Sequence, residues 1–262
     1  MSEKIVVERQ GPIAKLILNR PEAYNAFDME MVSAFEREIT LLTMDNKIRV
    51  VILTGSGKSF CAGGDLKWML EYTHGPSVGL HSLVARFHHT IIEIRRMSKP
   101  VIAAINGVAA GGGFSLALAC DFRIMAKSAT LRQAYTSRGL TLDGGGSFTL
   151  PRLVGIARAL EIVAFDKPIT AEQALALGLV TKVVDDERLL DETMRMAQEL
   201  SNISLNSFGW VKKLITNSFN TSLETQLEHE RFAICSCASH EDGLEGLRAF
   251  MEKRKPVFNK LG

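Results

Sequence analysis

Residues 100–119 read PVIAAINGVAAGGGFSLALA, and how they are read decides the fold. The apolar run 101–105 predicts a strand buried on both faces, and Pro100 keeps a helix from running into it. A glycine-rich turn follows, and FSLALA then predicts a short buried helix. The same order of strand, glycine-rich turn and helix start recurs at 50–69, VVILTGSGKSFCAGGDLKWM. Glycines let backbone approach a ligand closely, and free N–H groups at a helix start carry partial positive charge. Either run alone reads as a tight packing turn. Facing each other, the two can aim one N–H apiece at a single oxygen, which suits a carbonyl becoming an enolate or tetrahedral oxyanion.

Working outward, β-rich runs at 4–8 and 12–18 flank Gly11-Pro12 as a hairpin. Asp28 is placed to cap a helix whose apolar positions, Val32, Phe35, Ile39 and Leu42, follow helical spacing. A long amphipathic helix is predicted over 79–97, with Leu83, Phe87, Ile91 and Ile94 on one face. DFRIMA predicts another strand. Strands and helices alternate, so the fold class is an α/β layered core. After about 185 the chain is almost all helical signal, and Leu223, Leu227 and Ile234 suggest one apolar stripe there. Helices gathered at one end of such a core often lie over a neighbour, which predicts an oligomer.

Composition narrows the function. The chain has 262 residues, 46% hydrophobic and 23% charged, enough for one large domain with a real core. Lys plus Arg is 31 against 29 for Asp plus Glu, so no strong field draws nucleic acid or an anionic membrane. The N-terminal MSEKIVVERQ lacks a signal-peptide core, and no run is apolar enough to span a bilayer. Cysteines at 61, 120, 235 and 237 are too scattered for a disulfide framework, which points to a reducing cytoplasm.

Several suggestive patterns fail. TGSGKSF at 54–60 lacks the first glycine of a phosphate-binding loop, where Ile52 stands, and FCAGGD cannot start the helix that loop requires. The GGGFSL run lacks the dinucleotide fingerprint. Cys235, Cys237 and His240 lie on a predicted helix, where positions i and i+2 face apart, so no metal is assigned. KRK at 253–255 suits a solvated helix end.

One further stretch, RQAYTSRGLTLDGGGSF at 132–148, holds a single acid, Asp143, directly before three glycines. Alone, that reads as a turn.

Together, SFCAGGDL, GVAAGGGFSLALACD and AYTSRGLTLDGGGSFTLPRLVG resemble the enoyl-CoA hydratase/isomerase family, the crotonases. The resemblance runs from LNRPEAYNAF near the start to FMEKRKPVF near the end. It implies a ββα spiral core over 1–200 and a helical C-terminal trimerisation region over 201–262. It further implies a trimer or dimer of trimers that binds an acyl-CoA thioester, with coenzyme A part of the substrate and no separate cofactor. By motif position, Ala62 and Gly112 would donate the oxyanion N–H groups. The turn from Ala23 to Ala26, with Gly64, Asp65 and Leu66, would line the CoA path, and Lys253 or Lys255 would reach its phosphates.

Hydratases of this family use two glutamates, one as base and one as acid. Their places here hold Ser115 and Tyr135, so a standard two-glutamate hydratase is not expected. The segment around Asp143 resembles the branch that includes isomerases of ring-epoxidised phenylacetyl-CoA, where an aspartate in this place is the acid/base. Moving a double bond takes a proton from one carbon and returns it at another, which one carboxylate can do. An apolar pocket would raise its pKa and improve it as a base. The expectation is double-bond isomerisation of an enoyl-CoA by Asp143. A hydratase with atypical acid/base residues is one alternative. Another is an aromatic-acyl-CoA dehalogenase using Asp143 as nucleophile with His88 and Tyr135, and a third is an acyl-CoA-binding protein without catalysis.

Overall fold

The computed structural model describes residues 3–260. The chain opens with an antiparallel hairpin, β1 (Ile5–Gln10) and β2 (Ile13–Leu18), in register from Ile5↔Leu18 to Gln10↔Ile13. Helix α1 (Met29–Met44) starts as expected at Asp28, whose carboxylate accepts the Met31 N–H at 2.8 Å. The chain then repeats one unit three times. β3 (Val50–Gly55) and β4 (Ser59–Cys61) are followed by α2 (Leu66–Leu70) and α3 (Pro76–Arg96). β5 (Val101–Ile105) and β6 (Val108–Ala110) are followed by α4 (Gly112–Ala119). β7 (Phe122–Ala126) and β8 (Thr130–Arg132) lead to α5 (Gly146–Val154) and α6 (Ile156–Phe165). The first strand of each unit enters one sheet and the second enters another.

The next elements are β9 (Ile169–Thr170), α7 (Ala171–Ala176) and β10 (Lys182–Val184). They complete a six-stranded sheet, β1-β2-β3-β5-β7-β10, and a four-stranded sheet, β4-β6-β8-β9. Every pairing from β2 to β10 in the larger sheet is parallel. This is the ββα spiral that the resemblance implied.

The large sheet follows its sequence signal. All of β3 and β5 are buried, because continuous apolar runs need cover on both faces. α8 (Leu189–Leu200) lies against β3 and β5, and α1 packs on β1 and α3, where Phe27 stacks on Phe35 at 5.7 Å and meets Phe87 at a tilt, 5.2 Å away. Leu83, Phe87, Ile91 and Ile94 form the buried face of α3, as its periodicity required. The helix begins slightly earlier than 79, at Pro76, whose missing N–H costs nothing in a first turn. α4 is buried throughout. The strands that the sequence did not reveal are mostly those of the small sheet. β4, β6 and β8 have three residues each, too short for a period to register.

Four helices end the chain: α8 (Leu189–Leu200), α9 (Leu205–Asn217), α10 (Leu223–Ser239) and α11 (Glu241–Met251). α8 lies on the large sheet, α9 leans on α3, and α10 and α11 follow in series away from the core. A buried ion pair ties α9 down: Lys212 Nζ lies 2.7 Å from Asp121 and also donates to the Ile94 carbonyl at 2.8 Å. The stripe residues Leu223, Leu227 and Ile234 are exposed on α10, as are Phe232 on the same helix and Phe250 on α11. No helix among the described residues is long and apolar enough to cross a membrane.

Candidate active site

β4, β6 and β8 run parallel, so their C-terminal ends open on one edge of the small sheet. The three segments leaving those ends, 62–65, 111–112 and 133–143, converge on one cavity of about 560 Å³. Ligand sites beyond the carboxyl ends of parallel strands are a general consequence of such layering. Its wall includes Ala23, Ala26, Ala62, Gly64, Asp65, Leu66, Gly112, Tyr135 and Asp143, all expected from the sequence. Phe27, Met69, Leu83, Val84 and Phe87 make it largely apolar.

The first turn is held by the segment 20–25. Asn25, fully buried, donates its amide to the carbonyls of Ser56 at 3.0 Å and Ser59 at 2.8 Å. It accepts the Arg20 N–H at 2.9 Å. The Cys61 thiol hydrogen-bonds to the Asn25 carbonyl at 3.1 Å, and burial pushes it up to about 12, which removes it as a nucleophile. Asp65 caps α2 through the Trp68 N–H and pairs with Arg20 Nη1 at 2.7 Å. Burial acts to raise the Asp65 pKa, but the Trp68 N–H and the Arg20 guanidinium outweigh it and hold the carboxyl below the usual range.

The two glycine turns do face each other. A Cβ on Gly63 (φ +93°) would stand 2.8 Å from the Gly112 nitrogen. One donor assignment needs correction. The Ala62 N–H donates to the Tyr24 carbonyl at 3.0 Å, because the 21–24 turn lies against the end of β4, so it is not free for a ligand. The Gly64 N–H has no acceptor among the described residues: in the bridge to Phe27 it is the neighbours that bond, Phe27 N–H to Gly63 and Asp65 N–H to Phe27. The Gly112 N–H, in the first turn of α4, likewise has none.

Across the cavity, the Tyr135 hydroxyl donates to Asp143 Oδ1 at 3.1 Å. Burial pushes the Asp143 carboxyl above the usual carboxylate range, and the Tyr135 hydrogen bond only partly offsets it. Tyr135 is pushed upward too, by burial and then by the charge of Asp143, so its phenol keeps its proton and donates. Ser115 is fully buried beneath the same turn and does not line the cavity. Its buried hydroxyl has no hydrogen-bond partner among the described residues. A Cβ on Gly146 would come within 2.7 Å of that oxygen, so the site of the missing first glutamate has room only for a small side chain.

Three of the expected residues do not reach the wall. His88 is not part of it and is exposed on α3, and Lys253 and Lys255, exposed after α11, are absent from it in the single chain. The positive charge along the wall comes instead from Lys67, Arg138 and Arg132, the last paired with Asp166 at 3.2 Å; all three sit inside the quoted stretches but were not singled out. Among the described residues, no cluster of three or more His, Cys, Asp or Glu side chains could hold a metal ion.

Comparison with known proteins agrees with this architecture. The profile of the enoyl-CoA hydratase/isomerase family matches residues 8–260. The chain belongs to that family. It is 38% identical to the 1,2-epoxyphenylacetyl-CoA isomerase of Escherichia coli, covering 98% of this chain and 99% of that one. It is also 35% identical to the crotonyl-CoA hydratase of Syntrophomonas wolfei, covering 98% of each. Among solved structures, an enoyl-CoA hydratase from Bacillus anthracis superposes with a TM-score of 0.91 at 35% identity, over 98% of this chain and 99% of that one. An enoyl-CoA hydratase from Polaromonas gives 0.91 at 38% identity, over 97% and 99%. This enzyme of the hydratase/isomerase family thus has relatives named for either reaction.

Proposed function

We propose that this enzyme moves a double bond within an enoyl-CoA, with Asp143 as the single acid/base. The observation that carries the reading is the contrast between the two acids on the cavity wall. Asp65 is neutralised by Arg20, whereas Asp143 has a neutral phenol as its hydrogen-bond donor and a raised pKa. A carboxylate of that kind is a stronger base and can also return the proton it takes.

In the proposed reaction, the thioester carbonyl accepts hydrogen bonds from the Gly64 and Gly112 N–H groups. Asp143 removes a proton from the carbon between the thioester and the isolated double bond. The two N–H groups stabilise the dienolate oxygen, and the acid Asp143 delivers the proton to the far carbon of the conjugated system. Tyr135 occupies Oδ1 and leaves Oδ2 to carry the proton. Lys67 and Arg138 are suited to the CoA phosphates, and the apolar wall to the acyl group. Hydration would need a second acid/base to activate water, and the other acid on this wall, Asp65, is already paired with Arg20. Aryl dehalogenation is less well supported, because His88 does not line the cavity and its Nε2 is already engaged.

The test is a panel of acyl-CoA substrates followed by absorbance and mass spectrometry. The expected outcome is conversion of a 3-enoyl-CoA, or a ring-derived enoyl-CoA, to the conjugated isomer with no change in mass. Addition of water to a 2-enoyl-CoA at a comparable or greater kcat/KM would overturn the assignment.

The same reading includes a trimer or dimer of trimers, joined through residues 201–262. It is supported by the exposed apolar side chains of α10 and α11, which a solvated monomer rarely gathers. Light scattering should then give a mass of three or six chains.

A further inference from the structure

The turn that presents Asp143 has a second anchor. Leu80, Leu83, Val84 and Phe87 of α3 line the cavity, while His88, the next residue, does not. Its Nε2 accepts a hydrogen bond from the Gly144 N–H at 3.2 Å. Gly144 has φ +58°, and a Cβ there would stand 2.5 Å from Phe87 Cε1. Only glycine therefore lets the turn press against α3, and His88 holds the peptide that joins Asp143 to that glycine. The turn is otherwise closed by a single backbone bond, Gly146 N–H to the Asp143 carbonyl at 2.9 Å.

We propose that His88 is a positioning residue: with a bare Nε2 and its proton on Nδ1, it accepts the Gly144 N–H and so fixes where the Asp143 carboxylate stands. This deepens the isomerase reading and rests on Asp143 being its acid/base. A carboxylate moved by about 1 Å can lose on the order of 10²-fold in rate while the substrate still binds. The contact also commits His88 to a role other than deprotonating water, since the lone pair such a base would use already meets an N–H. Because α3 both lines the acyl pocket and holds this turn, the shape of the bound acyl group and the position of the base are set by one helix.

Two variants separate positioning from packing. In glutamine, Oε1 lies as many bonds from Cα as Nε2 does in histidine. In asparagine, Oδ1 matches Nδ1, which is too short to reach Gly144. The expected result is that His88→Gln exceeds both His88→Asn and His88→Leu in kcat by about 10-fold or more, with KM similar in all three. Equal kcat for His88→Gln and His88→Asn, or a change confined to KM, would overturn the proposal.

A second readout needs no turnover and no variant that must remain active. The ¹⁵N spectrum of the whole protein labelled at histidine should show His88, recognised by its loss in His88→Gln, protonated on Nδ1 and bare on Nε2. A proton on Nε2 would contradict the contact. Failure of the isomerase reading would look different: Asp143→Asn would keep full activity, whatever the His88 spectrum shows.

Discussion

The two sides of the cavity divide the work in opposite ways. On the side built from residues 62–65 and 111–112, two N–H groups are free to act and the acid is structural: Gly64 and Gly112 find no N–H acceptor among the described residues, while Asp65 is spent on Arg20 and on capping α2. On the side built from 143–146 the glycines on either side of Gly145 are engaged and the acid is free to act. The Gly144 and Gly146 N–H groups are bonded to His88 and to the Asp143 carbonyl, and Asp143 faces the cavity with no cationic partner. Both sides read in sequence as one acid beside glycines. What separates them is which group the surrounding fold leaves unsatisfied.

The comparison can be broken most severely by removing a free N–H. Gly112→Pro deletes the donor but suits the first turn of α4, and kcat should fall by about 10²–10³-fold, the usual loss for one oxyanion donor. If kcat holds while the variant stays folded, the glycine side is not an oxyanion site. A smaller effect is expected at Tyr135→Phe. Losing one hydrogen bond to a charged carboxylate, worth ~1.5 kcal/mol, should lower kcat about tenfold. Because that bond favours the ionised form, the acid limb of the pH–rate profile should move to higher pH. A limb that moves down, or not at all, would remove Tyr135 from the account.

The smallest effect is expected at Asp65→Asn, where the residue still caps α2 but loses its charge pair with Arg20. Unfolding in urea should show a loss of about 1 kcal/mol, with kcat nearly unchanged. A large fall in kcat instead would blur the division between the two sides.

Much of this arrangement was legible in the chain. VVILTG and VIAAI announce buried parallel strands by being apolar without interruption, and Asp28 and the stripe of α3 fix two helices. Asp143 stood out by the company of AAGGGFS and by the serine and tyrosine where glutamates were expected. The choice between Ala62 and Gly64 was not legible, because it depends on a carbonyl, that of Tyr24, brought in by a distant turn. Nor was the bond from Gly144 to His88, which joins a loop to a helix far away in sequence. Lys67, Arg132 and Arg138 escaped notice because an isolated cation has no pattern until folding places it on a wall. The stripe of Leu223, Leu227 and Ile234 was seen, but only the fold shows that it faces away from its own core.

The central claim is that Asp143, made more basic by burial, carries the proton. It is tested most directly by kcat/KM against pH for the wild type and Asp143→Asn on a 3-enoyl-CoA. Activity needs the ionised carboxyl, so the wild-type rate should fall as pH drops through a pKa above the ordinary aspartate value of about 3.9. Asp143→Asn should be about 10²–10⁴-fold slower and lack that limb. A variant that keeps both the rate and the limb would contradict the account.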